Sequence, residues 1–148
     1  MSLSSKKTNI ISRFSRHSDW EDRYKELIVL GKNLAELSQD KQIEKFEVKG
    51  CQSKVWLVPS YKEGKVFFEA SSDAILVKGI VGLLVEVYSG ESPSDILADK
   101  DDFLKEIGIT EHLSMNRTNG LAAMIKQVKM YAFAYKSLQD KGISDANF

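Results

Sequence analysis

The chain has 148 residues, of which 43% are hydrophobic and 28% are charged, the ordinary balance of a globular domain with one core. Its 21 basic and 21 acidic side chains cancel, so no net charge attracts nucleic acid or an acidic membrane. One cysteine excludes an internal disulfide, and neither a signal peptide nor a membrane span is visible. These features predict a single cytoplasmic domain over residues 1–148.

The N-terminal third predicts helices. Residues 1–17 are expected to form an extension or a short helix. A longer helix is expected from Ser18, which fits a capping box with Glu21. Its apolar side chains recur at helical spacing and form one buried stripe: Trp20, Tyr24, Leu27, Ile28, Leu34 and Leu37.

A small sheet is expected next. Residues 43–48, 53–58 and 65–70 alternate in polarity or are rich in β-branched and aromatic side chains, so they read as three strands. Their connections are short, and Lys62-Glu63-Gly64 suits a hairpin turn. Short connections predict antiparallel pairing.

The most apolar helix follows the sheet. We expect Ser71 or Ser72 to cap it and the helix to run to about Tyr88. Because so little of its surface is polar, it belongs in the middle of the fold. Gly79 and Gly82 weaken it by roughly 1 kcal/mol each relative to alanine, which suggests that the sheet or another helix approaches closely there.

The C-terminal third is again helical. Short helices are expected after Ser92-Pro93, and the last long helix is expected over residues 118–139. Residues 141–148 are expected to fray. The predicted fold class is therefore α+β, with a small three-stranded antiparallel sheet packed against helices.

The only cysteine, Cys51, directly follows Gly50 between two predicted strands. Glycine permits backbone angles closed to other residues, so a tight loop is expected there. Two interpretations of the thiol remain open from spacing alone: a small buried side chain, or a sulfur nucleophile presented on a loop.

The sequence offers few residues for metal binding or for a catalytic base. The soft or imidazole ligands are scattered, Cys51 with His17 and His112, so no metal site is expected, and one thiol cannot hold an iron–sulfur cluster by itself. A cysteine hydrolase would need a base, for which His112 is the candidate.

Four segments, in order and spanning roughly residues 19–129, resemble the SufE family of sulfur-acceptor proteins. The segment VKGCQSKVWL resembles the active-site loop of that family. The other three are DWEDRYKELIVLGKNL, SSDAILVKGIVGLLVEVYSG and HLSMNRTNGLAAMIKQVK.

The resemblance implies the compact fold shared with IscU-type scaffold proteins. It implies a sulfur acceptor and activator of a SufS-like cysteine desulfurase that passes sulfur to a downstream iron–sulfur scaffold. Such a protein is an accessory persulfide carrier rather than a stand-alone enzyme; it has no cofactor of its own, whereas the desulfurase carries pyridoxal phosphate. The alternative is a non-catalytic module that docks on a desulfurase and regulates it without carrying sulfur.

In this picture the Cys51 thiolate attacks the outer sulfur of a persulfide on the donor. Lys49 and Lys54 flank the loop, either favouring the thiolate or simply solubilising the strand ends. Apolar neighbours of the loop and Gly50 are expected to let the resting protein hide the thiol. The further candidates for loop or partner contacts are Gly50, Gln52, Ser53, Asp73 and Arg117.

By resemblance, Asp73 and Arg117 lie near the cysteine loop, where an ion pair or hydrogen bonds would hold its resting position. The alternative for Asp73 is simple capping of the apolar helix. Arg117 stands at a helix start, where its charge opposes the helix dipole, so we expect it to contact the loop or a partner.

Overall fold

A computed structural model describes residues 2–147 and has the expected α+β class. Its helices are α1 (Leu3–Ser15), α2 (Trp20–Lys32), α3 (Ile75–Tyr88), α4 (Pro93–Ala98), α5 (Phe103–Glu106), α6 (Ile109–His112) and α7 (Met115–Asp140). Its strands are β1 (Val55–Lys62), β2 (Lys65–Ser72) and β3 (Ala146–Asn147), in the sheet order β2-β1-β3.

Strands β1 and β2 form the predicted antiparallel hairpin. Their register runs from Val55 opposite Ser72 to Lys62 opposite Lys65. The two turn residues, Glu63 and Gly64, have φ angles of 53° and 76°, the left-handed geometry of a tight hairpin turn. The prediction of a turn at this point is confirmed.

The strand expected over residues 43–48 does not form. Glu44–Phe46 is a single turn of 3₁₀ helix, and the segment meets β1 through an isolated bridge between Glu47 and Trp56 and a hydrogen bond from Val48 N to Val55 O. Phe46 is buried in a small cluster with Leu37 and Val58. The sheet thus consists of one long hairpin with a two-residue edge strand from the C-terminus. The segment expected to be a third strand buries Phe46 through a turn instead.

The C-terminal segment, which the sequence suggests will fray, lies along the hairpin. Tyr61 donates its hydroxyl hydrogen bond to the carbonyl of Ile143 across 2.9 Å, and Glu63 N donates to Asp145 Oδ1 across 3.0 Å. The β3 backbone pairs with β1 beyond these contacts. The local sequence does not predict the contact between Tyr61 and Ile143, because these residues are 82 positions apart.

Helix α3 lies in the core, packed between α2 and the hairpin. A Cβ at position 79 would lie 2.1 Å from the backbone oxygen of Leu27, and one at Gly31 would lie 2.8 Å from Gly79 N. Only glycine lets the two helix backbones approach this closely. The close approach predicted at Gly79 and Gly82 is confirmed, and the neighbour is α2.

Two helix starts differ from expectation. Asp19 rather than Ser18 caps α2, because its carboxylate accepts from the backbone N–H of Asp22 across 2.9 Å. Neither Ser71 nor Ser72 caps α3, since β2 extends through both. Among the described helices, none is long and apolar enough to cross a bilayer.

Candidate functional site

Cys51 lies on a loop of residues 49–54, here called the cysteine loop. Val48 N donates to Val55 O across 2.8 Å and closes the loop at its base. Gly50 has φ of 93°, a conformation that favours glycine, so the sharp turn expected there is confirmed. The loop is thus a short segment between two residues, Val48 and Val55, whose backbones are hydrogen-bonded to each other.

Asp73 holds the C-terminal end of the cysteine loop. Lys54 N donates to Asp73 Oδ1 across 3.0 Å, while Asp73 N donates to Lys54 O across 3.2 Å. The carboxylate takes the place of a backbone carbonyl and extends the β1–β2 ladder by one residue. Helix α3 has no side-chain cap, so Asp73 contacts the loop as expected and the helix-capping alternative is wrong.

The Cys51 thiol rests against the first turns of α7. Its Sγ donates to Gly120 O across 3.6 Å, and a Cβ at position 120 would lie 3.4 Å from that sulfur. Gly50 meets the same helix, since a Cβ there would lie 3.4 Å from the Cβ of Ala123. The loop therefore packs on one face of α7, and this partial burial raises the pKa of the Cys51 thiol.

The two flanking lysines do not activate the thiol in this structure. Lys49 Nζ lies 3.5 Å from Glu44 and 3.9 Å from Glu47, and Lys54 Nζ lies 3.7 Å from Glu47. These exposed ammonium groups neutralise carboxylates instead of a thiolate. A lysine that favoured the thiolate would lower the thiol pKa, whereas burial raises the pKa of Cys51. The resting structure therefore supports the interpretation of both lysines as surface charge.

A cavity of about 240 Å³ opens beside the thiol. Its walls come from the cysteine loop, from α3 and from the beginning of α7. Its apolar lining residues are Val77, Ile80, Gly120 and Met124. Its polar lining residues, besides Cys51 itself, are Gln52, Ser53, Ser114, Asn116 and Arg117.

Arg117 lies in the first turn of α7, which begins three residues earlier than expected. Ser114 caps this helix by accepting from Arg117 N across 3.3 Å. Arg117 is exposed, lines the cavity and forms no ion pair with an acidic side chain among residues 2–147. Asp73 is engaged by the loop backbone, so of the ion pair or hydrogen bonds expected to hold the loop, the structure has hydrogen bonds from Asp73 and no ion pair between the two residues.

Several wall residues escaped sequence reasoning. Val77, Ile80 and Met124 read as ordinary core side chains, and nothing in their helical spacing marks a cavity. Gly120 carried a signal, because a glycine inside a 26-residue helix costs roughly 1 kcal/mol and needs a reason. The Cys51 thiol packs against this position, where an added Cβ would be in ordinary van der Waals contact with the sulfur.

Neither histidine is placed to serve Cys51. His112 stacks on Trp20 with ring centroids 4.1 Å apart, and its Nδ1 lies 2.9 Å from Gly108 O. No histidine lines the cavity, so the base that a cysteine hydrolase needs is missing from it. Within the described part of the chain, no cluster of three or more potential ligands could hold a metal ion.

The arrangement suits one kind of chemistry. A lone thiol, half-buried beside a small cavity, can exchange with another sulfur compound without a general base or metal. Lys54 at the end of the loop is held by hydrogen bonds with Asp73 and Ser72. The tip of the loop touches α7 through the Cys51 thiol and Gly50, so an outward movement of the tip breaks few interactions.

Comparison with known proteins gives a consistent result. Residues 8–132 match the family model described as SufE, Fe-S metabolism associated domain. An uncharacterized SufE-like protein of Rhizobium meliloti is 40% identical over 83% of this chain and 91% of its own. One of Rhizobium etli is 41% identical, over 81% and 84%, and one of Synechocystis is 35% identical, over 90% and 84%.

A solved structure supports the fold. The solution structure of a hypothetical protein from Thermus thermophilus superposes with a TM-score of 0.75, covering 89% of this chain and 96% of that one. Its sequence is 23% identical, so the likeness concerns the fold alone.

Proposed function

Because the chain belongs to the SufE family, whose domain is associated with Fe–S metabolism, we propose that it accepts sulfur from a cysteine desulfurase on Cys51 and passes it on for iron–sulfur cluster assembly. One observation carries the proposal: the sole thiol of the chain sits on a loop beside a cavity that it shares with no catalytic base.

The transfer needs only thiol exchange. The Cys51 thiolate attacks the outer sulfur of the donor's persulfide, a new S–S bond forms on Cys51, and the old S–S bond breaks. The donor leaves as a thiolate and takes up the proton that Cys51 lost. No electrons enter or leave, and a second exchange of the same kind hands the sulfur to the next protein.

The starts of α3 and α7 offer a surface for a protein donor. Ile75 begins α3 and is 68% exposed, and Met115 begins α7 and is 76% exposed. Both helices also form the cavity walls through residues further along. Exposed large apolar side chains on elements that also wall the cavity fit a docking surface, where their burial on binding stabilises the complex.

Docking has to turn the thiol outward. At rest the thiol donates to Gly120 O and its pKa is raised, both of which slow its attack. A bound desulfurase that favours the outward loop shifts this equilibrium by its differential contacts. The resting protein thereby keeps its nucleophile from oxidation until a donor is present.

The proposal is tested by desulfurase turnover, measured as alanine released from cysteine. Wild-type protein is expected to stimulate turnover, and Cys51→Ser is expected to bind the desulfurase without stimulating it, because a serine alkoxide is inaccessible at neutral pH. If Cys51→Ser stimulates turnover as well as wild type does, the protein is a regulator that carries no sulfur.

A further inference from the structure

The cavity beside Cys51 is lined by both apolar and polar residues. Sulfur transfer between two proteins does not require such a lining. Its lining includes the apolar side chains of Val77, Ile80 and Met124, which suit a polarisable sulfur atom. It also includes residues with amide and hydroxyl groups, and Arg117. A molecule that matches this lining carries both sulfur and a polar, negatively charged group.

Charge selects the kind of polar group. Lys49 and Lys54 do not line the cavity and pair with Glu44 and Glu47 at the surface, and Asp73 is held by the loop backbone. Arg117 is the cavity-lining cation and has no acidic partner among residues 2–147. A planar guanidinium favours a carboxylate, which it binds with two parallel hydrogen bonds.

Size limits the ligand. A volume of about 240 Å³ corresponds to roughly eight water molecules at their share of liquid volume. That space suits a compound with a short carbon skeleton and excludes a folded peptide. Cysteine persulfide, with its two sulfurs and one carboxylate, is a compound of this size.

We propose that the cavity binds small persulfides that bear a carboxylate and places their outer sulfur against Cys51. This rests on the proposed sulfur-acceptor function and adds a second, protein-free class of donor. Cys51 attacks the outer sulfur, the donor's S–S bond breaks, and the donor leaves as a small thiol that takes up the proton. The products are the Cys51 persulfide and the free thiol, so atoms and electrons balance.

The charge preference is measured with stable probes. Three symmetric disulfides, dithiodipropionate (anionic), bis-hydroxyethyl disulfide (neutral) and cystamine (cationic), each form a mixed disulfide with the single thiol, and intact mass follows its rate. A peptide of residues 46–58 supplies the reference, because it keeps Lys49 and Lys54 but lacks the cavity.

We expect the anionic-to-neutral rate ratio of the intact protein to exceed that of the peptide by roughly three- to fivefold, the size of one exposed charge pair. Arg117→Gln removes this excess and Arg117→Lys keeps part of it. Lys126→Gln is the matched control, since that exposed lysine lies nine residues further along α7, about 14 Å away. A ratio equal to that of the peptide, or one unchanged by Arg117→Gln, overturns the proposal.

The decisive arm uses persulfides without any desulfurase. Cysteine persulfide is expected to add one sulfur to Cys51 several times faster than cysteamine persulfide, which lacks the carboxylate, and Arg117→Gln is expected to equalise the two. Equal rates in the wild type contradict the proposal. If a desulfurase still loads Cys51 in that case, the proposed function stands and only this inference fails. If small donors load Cys51 but a desulfurase never does, the proposed function fails and the cavity's preference for small donors stands.

Discussion

The sulfur of Cys51 and the backbone of Gly120 lie in direct contact. The thiol donates to Gly120 O across 3.6 Å, and a Cβ at position 120 would stand 3.4 Å from the sulfur. This contact joins the cysteine loop to the first turns of α7. A methyl group at position 120 would be in ordinary van der Waals contact with the sulfur, so the resting position of the nucleophile depends on how bulky the residue at this position is.

A graded series at Gly120 tests this dependence. Gly120→Ala places a methyl group in contact with Sγ, and Gly120→Val adds branches that displace the thiol. Alkylation of Cys51 by iodoacetamide is expected to change little for alanine and to accelerate about fivefold for valine, the effect of losing about 1 kcal/mol of loop contacts. Asn119→Val is the control, because it introduces the same β-branched side chain at an exposed neighbour. Equal rates for Gly120→Val and Asn119→Val would show that Gly120 does not set the thiol's position.

Asp73 is expected to hold the other end of the loop. Asp73→Ala removes the acceptor of the Lys54 N–H, whereas Asp73→Asn retains an oxygen at the same place. For an exposed hydrogen bond worth about 1 kcal/mol, the alanine variant should populate the open loop about fivefold more. Cys51 alkylation is expected to accelerate accordingly in Asp73→Ala and to stay near the wild-type rate in Asp73→Asn. An unchanged rate in the alanine variant contradicts the role of Asp73 as a loop anchor.

Burial of the thiol predicts a pH dependence of stability. The pKa of Cys51 is raised in the folded protein, so above the ordinary thiol pKa of about 8.5 the unfolded chain releases its proton first. The folded state then binds more protons than the unfolded state, and the free energy of unfolding falls as pH rises. Urea unfolding of wild type and Cys51→Ser at pH 7 and pH 9.5 isolates this effect, since all other groups titrate in both proteins. Wild type is expected to lose more stability than the variant by some tenths of a kcal/mol, the effect of a half-buried group. Parallel losses contradict a buried resting thiol.

The exposed apolar side chains at the starts of α3 and α7 predict a docking surface. Met115→Gln is expected to raise the concentration of this protein that half-saturates desulfurase stimulation, because it removes apolar area from the contact. Met130→Gln makes the same change on the same helix, at a side chain 54% exposed and about 22 Å further along α7. Thermal unfolding of both variants should match the wild type. Equal effects of the two substitutions on stimulation would place the docking surface elsewhere.

Elements with a strong local pattern could be predicted from the sequence. The hairpin turn at Glu63 and Gly64, the buried helix α3 and the turn at Gly50 all follow from the conformational needs of a few adjacent residues. The close packing of α3 on α2 also carried a local signal, the glycines at positions 79 and 82.

Features that depend on distant partners could not be predicted. The burial of Phe46 fits both a strand and a 3₁₀ turn, and only its contacts with Leu37 and Val58 decide between them. For Asp73 the sequence left two roles open, a contact with the cysteine loop and a helix cap, and only the position of the Lys54 N–H at its carboxylate decides between them. The cavity exists because three segments distant in sequence meet around Cys51, which no periodicity records.

The central claim is that Cys51 itself receives sulfur from a desulfurase, and intact mass of the protein tests it most directly. After incubation with a cysteine desulfurase and cysteine, wild type is expected to gain the mass of one sulfur atom, and a reductant should remove it, because persulfides exchange reversibly with thiols. Cys51→Ser should gain none. An unchanged wild-type mass, while desulfurase turnover rises in its presence, would contradict the account and identify a regulator that carries no sulfur.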